Sequence, residues 1–396
     1  MDVLSDRLRA MEESATLAMS RLSRELKAQG KNVISLSLGE PDFNTPDFIK
    51  ESAKQAIDDN FSKYTPVAGY LDLRESICRK LKRDNNLAYE PSQIVTSTGA
   101  KQSIANVVMS LVNKGDEVII PAPYWVSYVE IVKMAEGVPV IVEAGIENDF
   151  KITPEQLGAA ITDNTKLMIF SSPCNPTGSV YSFDELKGMA QVIEDTGIFV
   201  ISDEIYEHIN FSGGHTSLAT FSSIKDQVIT VNGVSKAWAM TGWRLGYIAA
   251  SKEIAAACEK IQGQFTSGTC SITQRAAITA MEADPVVLKD MVAAFKSRRD
   301  LVLGLLNEIE GVKTNVPEGA FYLFPDVSSF FGKRYNDTII NSATDLAMYL
   351  LQEGLVAIVT GEAFGNPNCI RISYAAAEEE LIEAMKRMKQ ALEKLS

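Results

Sequence analysis

The sequence predicts an α/β protein whose larger part is a mostly parallel central sheet flanked by helices, and three observations carry that expectation. Six short apolar runs follow one another between residues 93 and 233: QIVTSTG, DEVIIPAP, VPVIVEA, KLMIFSSP, IFVISDE and QVITVNG. Their brevity and near-continuous apolar character suit strands buried on both faces. The segments between several of them, notably 100–113, 124–135 and 184–196, have the length and periodicity of the crossover helices that parallel pairing requires. Finally, 46% of the 396 residues are hydrophobic, enough to fill the cores of two structural units.

Taken in order, residues 4–29 read as a helical approach segment, and VISLSLGEPDF at 33–43 runs from apolar residues into a turn. PDFIKESAKQAIDD reads as a helix, and a second follows the punctuation at Pro66 and Gly69. After the six strands, MTGWRLGYIAA at 240–250 returns another strand to the sheet. SKEIAAACEKIQGQF and SITQRAAITAMEAD are helical, and the stretch after Pro285 reads as a long amphipathic helix leaving the large domain. GAFYLFPDV, GLVAIVTG and NCIRISYA supply short strands, with ATDLAMYLLQEG and EEELIEAMKRMKQALEKL as helices. The expected division is a large domain over 45–283 and a smaller α/β domain built from 1–44 and 284–396, with a cleft between them.

The charge balance narrows the partners. With 51 acidic against 38 basic residues the formal net charge is -13, which disfavours a nucleic-acid interface but leaves room for a local cationic pocket. Five scattered cysteines, odd in number, and a start without a basic-then-apolar leader fit a reducing, cytoplasmic setting. No apolar run reaches the roughly 20 residues of a membrane span. His208 and His215 are the only histidines and no two cysteines are close, so no metal is expected. Cys174, in SSPCNPTG, has no sequence-near base and reads as a gap filler beside a turn.

Three stretches carry chemistry. In IVTSTGAKQ a strand ends at Thr98 and Gly99 and a helix begins at Ala100, placing free N–H groups where a phosphate can sit, although an ordinary strand-to-helix turn has the same pattern. FVISDEIYEH puts Asp203 just beyond a strand with the Tyr206 phenol nearby; solvated or capping carboxylates are the competing reading. At period two Asp203 and Ile205 would share one face and Glu204 and Tyr206 the other, unless a turn starts there. In VITVNGVSKAWAMTGWRLGY, Lys236 can form a Schiff base if shielded from water, and Ser235 and Arg244 can hold a phosphate; a solvated surface lysine is the alternative.

SLGEPDFNTP, KYTPVAGYLDLR, GAKQ, PYWVSY, SSPCNPTG, SDEIYEH, NGVSKAWAMTGWRLGY and RISYA occur in one order along nearly the whole chain, and together they resemble the fold type I pyridoxal-phosphate enzymes, specifically the bacterial Ib-type aspartate aminotransferases. The resemblance implies pyridoxal 5'-phosphate as cofactor, with Lys236 as the lysine that bonds it. Asp203 would partner its pyridine nitrogen, Tyr206 and Asn175 would hydrogen-bond its ring oxygen, and Trp125 would stack on its ring. Its phosphate would lie against Gly99, Ala100, Lys101, Ser235 and Arg244, with Tyr64 reaching it from the neighbouring subunit of a homodimer. Arg371 would clamp the substrate's α-carboxylate with help from Asn175 and Gly39, and Lys101 would approach the side-chain carboxylate of an acidic substrate in a site shared with Trp125. The implied reaction is transamination between aspartate and 2-oxoglutarate. The implied alternatives are an enzyme acting mainly on prephenate or aromatic amino acids, and a noncatalytic regulatory protein with the same fold.

Overall fold

The computed structural model describes residues 3–396, and in it every apolar run quoted above contributes a strand. After β1 (Ile34–Ser35) come the seven strands of the main sheet: β2 (Ile94–Ser97), β3 (Glu117–Ala122), β4 (Val138–Glu143), β5 (Thr165–Ser171), β6 (Phe199–Asp203), β7 (Val228–Gly233) and β8 (Gly246–Ala249). Their spatial order is β2-β8-β7-β6-β5-β3-β4. Neighbours from β4 to β7 pair parallel, whereas β8 runs antiparallel to both β7 and β2. Central strands such as β7 and β8 are buried at every residue, which is why they read as unbroken apolar runs. The edge strand β4 is half-exposed and tolerates Pro139, whose missing N–H costs no ladder bond on an unpaired side.

This topology has one consequence that matters for the site. Because β2, β3, β5, β6 and β7 all run the same way, their carboxyl ends open on one edge of the sheet, as does the turn that enters antiparallel β8. The crossover helices Ala100–Leu111, Ser127–Met134 and Phe183–Glu194 follow β2, β3 and β5. The last begins in a capping box, where the Ser182 hydroxyl accepts from the Glu185 N–H at 3.3 Å and the Glu185 carboxylate accepts from the Ser182 N–H at 2.7 Å.

The carboxyl-terminal segment adds β9 (Tyr322–Leu323), β10 (Arg334–Tyr335), β11 (Thr338–Ile339), β12 (Val356–Ala357), β13 (Val359–Thr360) and β14 (Ile370–Ser373). β13, β14 and β9 form an antiparallel sheet, and β1 pairs parallel with β12, tying the amino-terminal segment to the carboxyl-terminal one. One hydrophobic core runs from the sheet face at Met168 and Phe170 into this region at Phe321, Tyr322 and Ile372; the other sheet face is packed around Val95, Ile104, Ile169 and Ile201.

Some local expectations differ from the result. The single approach helix over 4–29 is two helices, Asp6–Arg9 and Ala15–Ala28. Between them the Glu12 N–H donates to the Glu130 carboxylate at 3.0 Å, and Glu13 pairs with Arg21 at 2.7 Å. Docking onto the helix Ser127–Met134 thus replaces local helical bonds. The helix after Pro285 opens with a 3₁₀ turn, Pro285–Leu288, before the α-helix Lys289–Asn307. The β10–β11 hairpin turns at Asn336, whose φ of 51° is left-handed, and neither of its two-residue strands is long enough to show a period. Among the described residues no helix is long and apolar enough to cross a membrane, and all five cysteines are free.

Behind β6, Lys80 from the helix Leu71–Asn85 forms a buried ion pair with Glu207, whose carboxylate also accepts from Asn85 at 2.9 Å and Asn232 at 2.8 Å. Burial opposes the Glu207 charge, but Lys80 and the two histidines more than offset it and hold the carboxyl well below its usual range. A depressed carboxyl pKa stabilises the fold fully above the ordinary carboxylate range, and that contribution is lost progressively as pH falls from that range down to the lowered folded value. Lys80→Met, which strands the Glu207 charge, should cost about 3–5 kcal/mol in urea unfolding at pH 7. A loss below about 1 kcal/mol would show that the pair is not structurally important.

Candidate active site

The turns on the carboxyl edge of the main sheet converge with the carboxyl-terminal segment on a cavity of about 470 Å³. β6 delivers Asp203 as its last residue, and a turn starting there brings Tyr206 to the same cavity, overriding strand alternation. Glu204 turns away instead, accepting from Ser202 at 2.9 Å and Ser217 at 2.7 Å and lying 3.0 Å from His215. β7 leads to Ser235 and Lys236, β3 to Trp125, β5 to Asn175, and β2 to Ala100 and Lys101, while Arg244 stands just before β8. Across from them lie Gly39, beyond β1, and Arg371, on β14.

The cavity therefore gathers the sequence-predicted residues with two exceptions. Gly99 lies just outside the lining, with φ of 83°, and a Cβ there would overlap the Arg244 guanidinium, so a left-handed glycine lets the arginine close over the helix start. Tyr64 is not brought to this cavity: it is 99% exposed. Among the described residues, Glu204, Glu207 and His215 lie behind the site with potential ligating atoms within 4.8 Å of one another, but the Lys80 ammonium already faces Glu207.

Lys236 is buried, and its Nζ donates to the Gly39 carbonyl at 2.5 Å. Lost hydration, then the positive charge of Arg371, lowers its pKa to about 8 even though Glu40 and Asp203 pull the other way. A lysine pKa lowered on folding means that the folded state grows more stable as pH rises from about 8 toward the unfolded value. Burial pushes Asp203 up to about 6, against the hydrogen bonds from the Tyr128 hydroxyl at 2.7 Å and the Ile205 N–H at 3.3 Å. An acid so raised favours a cationic partner, because ionising alone in this site is costly.

Arg371 is 2% exposed. Its Nη1 donates to Asn175 Oδ1 at 3.0 Å and its Nη2 to the Ser37 carbonyl at 2.6 Å, while Nε has no partner among the described residues. A buried guanidinium with an unmet donor suits an incoming carboxylate. At the opposite end, the first N–H groups of the helix Ala100–Leu111 lie beside Arg244 and Ser235, a cradle for a phosphate dianion. Gly246 is required here, since a Cβ would overlap the Ala100 backbone. Lys101 Nζ sits 4.9 Å from the Trp125 ring centroid, and desolvation followed by the Arg244 charge holds its pKa below the ordinary lysine range. The set fits pyridoxal phosphate: amine, carboxylate, aromatic face and anion cradle line one cavity.

Sequence reasoning missed Tyr128 and Tyr322. Tyr128 lies three residues after Trp125, a helical spacing that places the two rings edge to face at 5.6 Å and offered a signal. Tyr322 had none: only the register Ser373↔Tyr322 between β14 and β9 sets it beside Arg371. Ser14, Thr16 and Leu17 also line the cavity, from a segment read only as an approach helix.

Comparison with known proteins places the chain in a family. The family model for aminotransferase class I and II matches residues 31–388. A probable aspartate/prephenate aminotransferase of Rickettsia bellii is 48% identical, covering 99% of each chain. The crystal structure of an aspartate aminotransferase from Rhizobium meliloti superposes with a TM-score of 0.96 at 40% identity, covering 99% of both chains. That of the Thermus thermophilus aspartate aminotransferase with maleate gives 0.93 at 38% identity, covering 99% of this chain and 100% of that one.

The buried amine makes a direct prediction. Labelling of Lys236 by an amine-selective reagent in the ligand-free protein, followed by peptide mass spectrometry, should reach half its limiting rate near pH 8. A midpoint near the ordinary lysine value of about 10.4 would mean that the amine is solvated.

Proposed function

Because the chain belongs to the class I and II aminotransferases, we propose that it uses pyridoxal phosphate to exchange amino groups between L-aspartate and 2-oxoglutarate, giving oxaloacetate and L-glutamate in two half-reactions. The observation that carries the reading is Lys236, a buried amine with a pKa near 8 in one cavity with Asp203 and a half-satisfied Arg371.

The bound cofactor supplies a conjugated ring that takes up the electron pair left when a proton leaves the amino acid's Cα. Lys236 has the chemistry to bond the cofactor's carbonyl carbon, since near neutral pH a useful fraction of its amine is unprotonated. Freed from that bond, the same Nζ would be placed to take the Cα proton and return it at the cofactor's carbonyl carbon, with no separate encounter with a bulk base. Asp203, held by Tyr128, would partner the ring nitrogen of the bound cofactor and favour its protonated form. Asn175 accepts from Arg371 through Oδ1, so its amide NH₂ is left to donate to the ring oxygen beside Tyr206. Trp125 offers the stacking face; Gly99, Ala100, Lys101, Ser235 and Arg244 form the phosphate cradle.

Arg371 takes the α-carboxylate in its planar fork, with Gly39 and Asn175 beside it. Lys101 takes the second carboxylate, where incomplete hydration strengthens an opposite-charge contact. The relative solved with maleate, a dicarboxylate, supports that preference. Prephenate or an aromatic acid is the second reading, favoured by the aspartate/prephenate name of the Rickettsia relative.

The same proposal divides the chain into a large cofactor domain, 45–283, and a small domain, 1–44 with 284–396, a division supported by the β1–β12 pairing. It makes the protein a homodimer in which Tyr64, bare in the single chain, reaches the phosphate in the partner's site. Five free cysteines favour a reducing, cytoplasmic compartment.

A panel of amino donors and oxo acceptors, with products quantified, tests the reading. Aspartate with 2-oxoglutarate should give the highest kcat/KM; activity confined to prephenate or aromatic acids would overturn the acidic assignment, and no spectral change of the cofactor-loaded protein with any amino acid would overturn transamination. Lys236→Ala should keep the fold and lower kcat by about 10⁴-fold or more. Lys101→Ala should lower kcat/KM for aspartate by roughly 10- to 100-fold while changing that for an aromatic amino acid by less than about threefold. Equal losses for both would show that Lys101 does not read the side chain.

A further inference from the structure

Tyr322 is completely buried, and three parts of the site meet on it. Its hydroxyl lies 2.7 Å from that of Tyr206, its ring lies under the Arg371 guanidinium at 4.6 Å, and a Cβ on Gly39 would overlap its hydroxyl. Gly39 is the residue whose carbonyl receives Lys236. β9, which carries Tyr322, pairs with β14, which carries Arg371, so the tyrosine is fixed by backbone register.

A pair of phenols has two protons and one shared contact. If Tyr206 donates to Tyr322, it has no proton left for a ligand oxygen; if Tyr322 donates to Tyr206, the Tyr206 proton is free to point into the cavity. We propose that Tyr322 is a positioning residue for this site: its hydroxyl donates to Tyr206 and turns the Tyr206 proton toward the bound cofactor's ring oxygen, while its ring fixes the plane of the Arg371 guanidinium. The charges around the pair agree with this direction. Burial raises both phenols and the Arg371 cation opposes the rise in both, but the guanidinium lies directly over the Tyr322 ring and polarises that phenol more, making it the better donor. Lys236 and Asp203 are the other titratable groups facing Tyr206.

This inference rests on the pyridoxal-phosphate reading and adds to it a link between the carboxylate clamp and the ring oxygen. When a substrate carboxylate neutralises Arg371, Tyr322 becomes a weaker donor and the contact of Tyr206 with the ring oxygen weakens with it.

The test is a pH titration of the visible absorption of cofactor-loaded protein without substrate. Tyr322→Phe keeps the ring and removes the hydroxyl. The ring oxygen then accepts a weaker hydrogen bond from Tyr206, the chromophore holds its proton to higher pH, and the midpoint should rise by roughly half a unit. In a Tyr206→Phe background the same substitution should add no further shift, because the relay passes through Tyr206. KM should stay within about twofold in Tyr322→Phe and rise about fivefold in Tyr322→Leu, which also removes the ring face under Arg371. An unmoved midpoint in Tyr322→Phe, or the full shift persisting in the Tyr206→Phe background, would overturn the proposal. Should Tyr322→Phe fail to fold, Gly39→Ala, whose methyl must displace the Tyr322 hydroxyl, should raise the midpoint, and no rise would overturn it. Failure of the wild-type protein to acquire a visible band or to respond to amino acids would instead count against the cofactor and reaction themselves.

Discussion

The site depends on keeping one lysine amine out of water. Lys236 is placed by the turn after β7 against the Gly39 carbonyl and in the field of Arg371, and each of these has to come from a different part of the chain. Burial is the largest influence lowering the lysine's pKa and the Arg371 guanidinium in the same cavity lowers it further, while Glu40 and Asp203 pull the other way and leave it at about 8. The balance leaves an amine that can both form a bond and carry a proton, which is what a transaminase asks of one residue.

Holding that balance requires a rigid frame. The carboxyl edge of the main sheet fixes Asp203 and the turns bearing Trp125, Asn175 and Lys236 relative to one another, because their strands are hydrogen-bonded neighbours buried on both faces. The buried Lys80–Glu207 pair secures the turn after β6 from behind, so Asp203 and Tyr206 are held toward the cavity while Glu204 and Glu207 are engaged on the other side. Arg371 and Tyr322 are supplied by a separate antiparallel sheet, packed against the main one through one continuous core.

The electrostatics are divided between outside and inside. A chain with a formal net charge of -13 nevertheless lines its cavity with Lys101, Lys236, Arg244 and Arg371. Such a local excess attracts phosphate and carboxylate groups that the outer surface would repel, and low hydration in the cavity makes each contact count for more than it would in bulk water.

The sequence by itself determined the parallel sheet and much of the site, because both are local in character. Strands buried on both faces must be apolar throughout, and Asp203, Lys236 and Arg244 stand within quoted motifs at strand ends. Residue spacing alone left Asp203 and Lys236 open between reactive and solvated readings; the order of eight motifs along the chain decided between them. What only the tertiary structure decided is whatever depends on contacts between distant segments. The break in the approach helix follows from the docking of Glu12 on Glu130, and the approach of Tyr322 to Arg371 from the register of β9 on β14. No window of sequence contains both members of those pairs, and their energies appear only once the chain has folded back on itself.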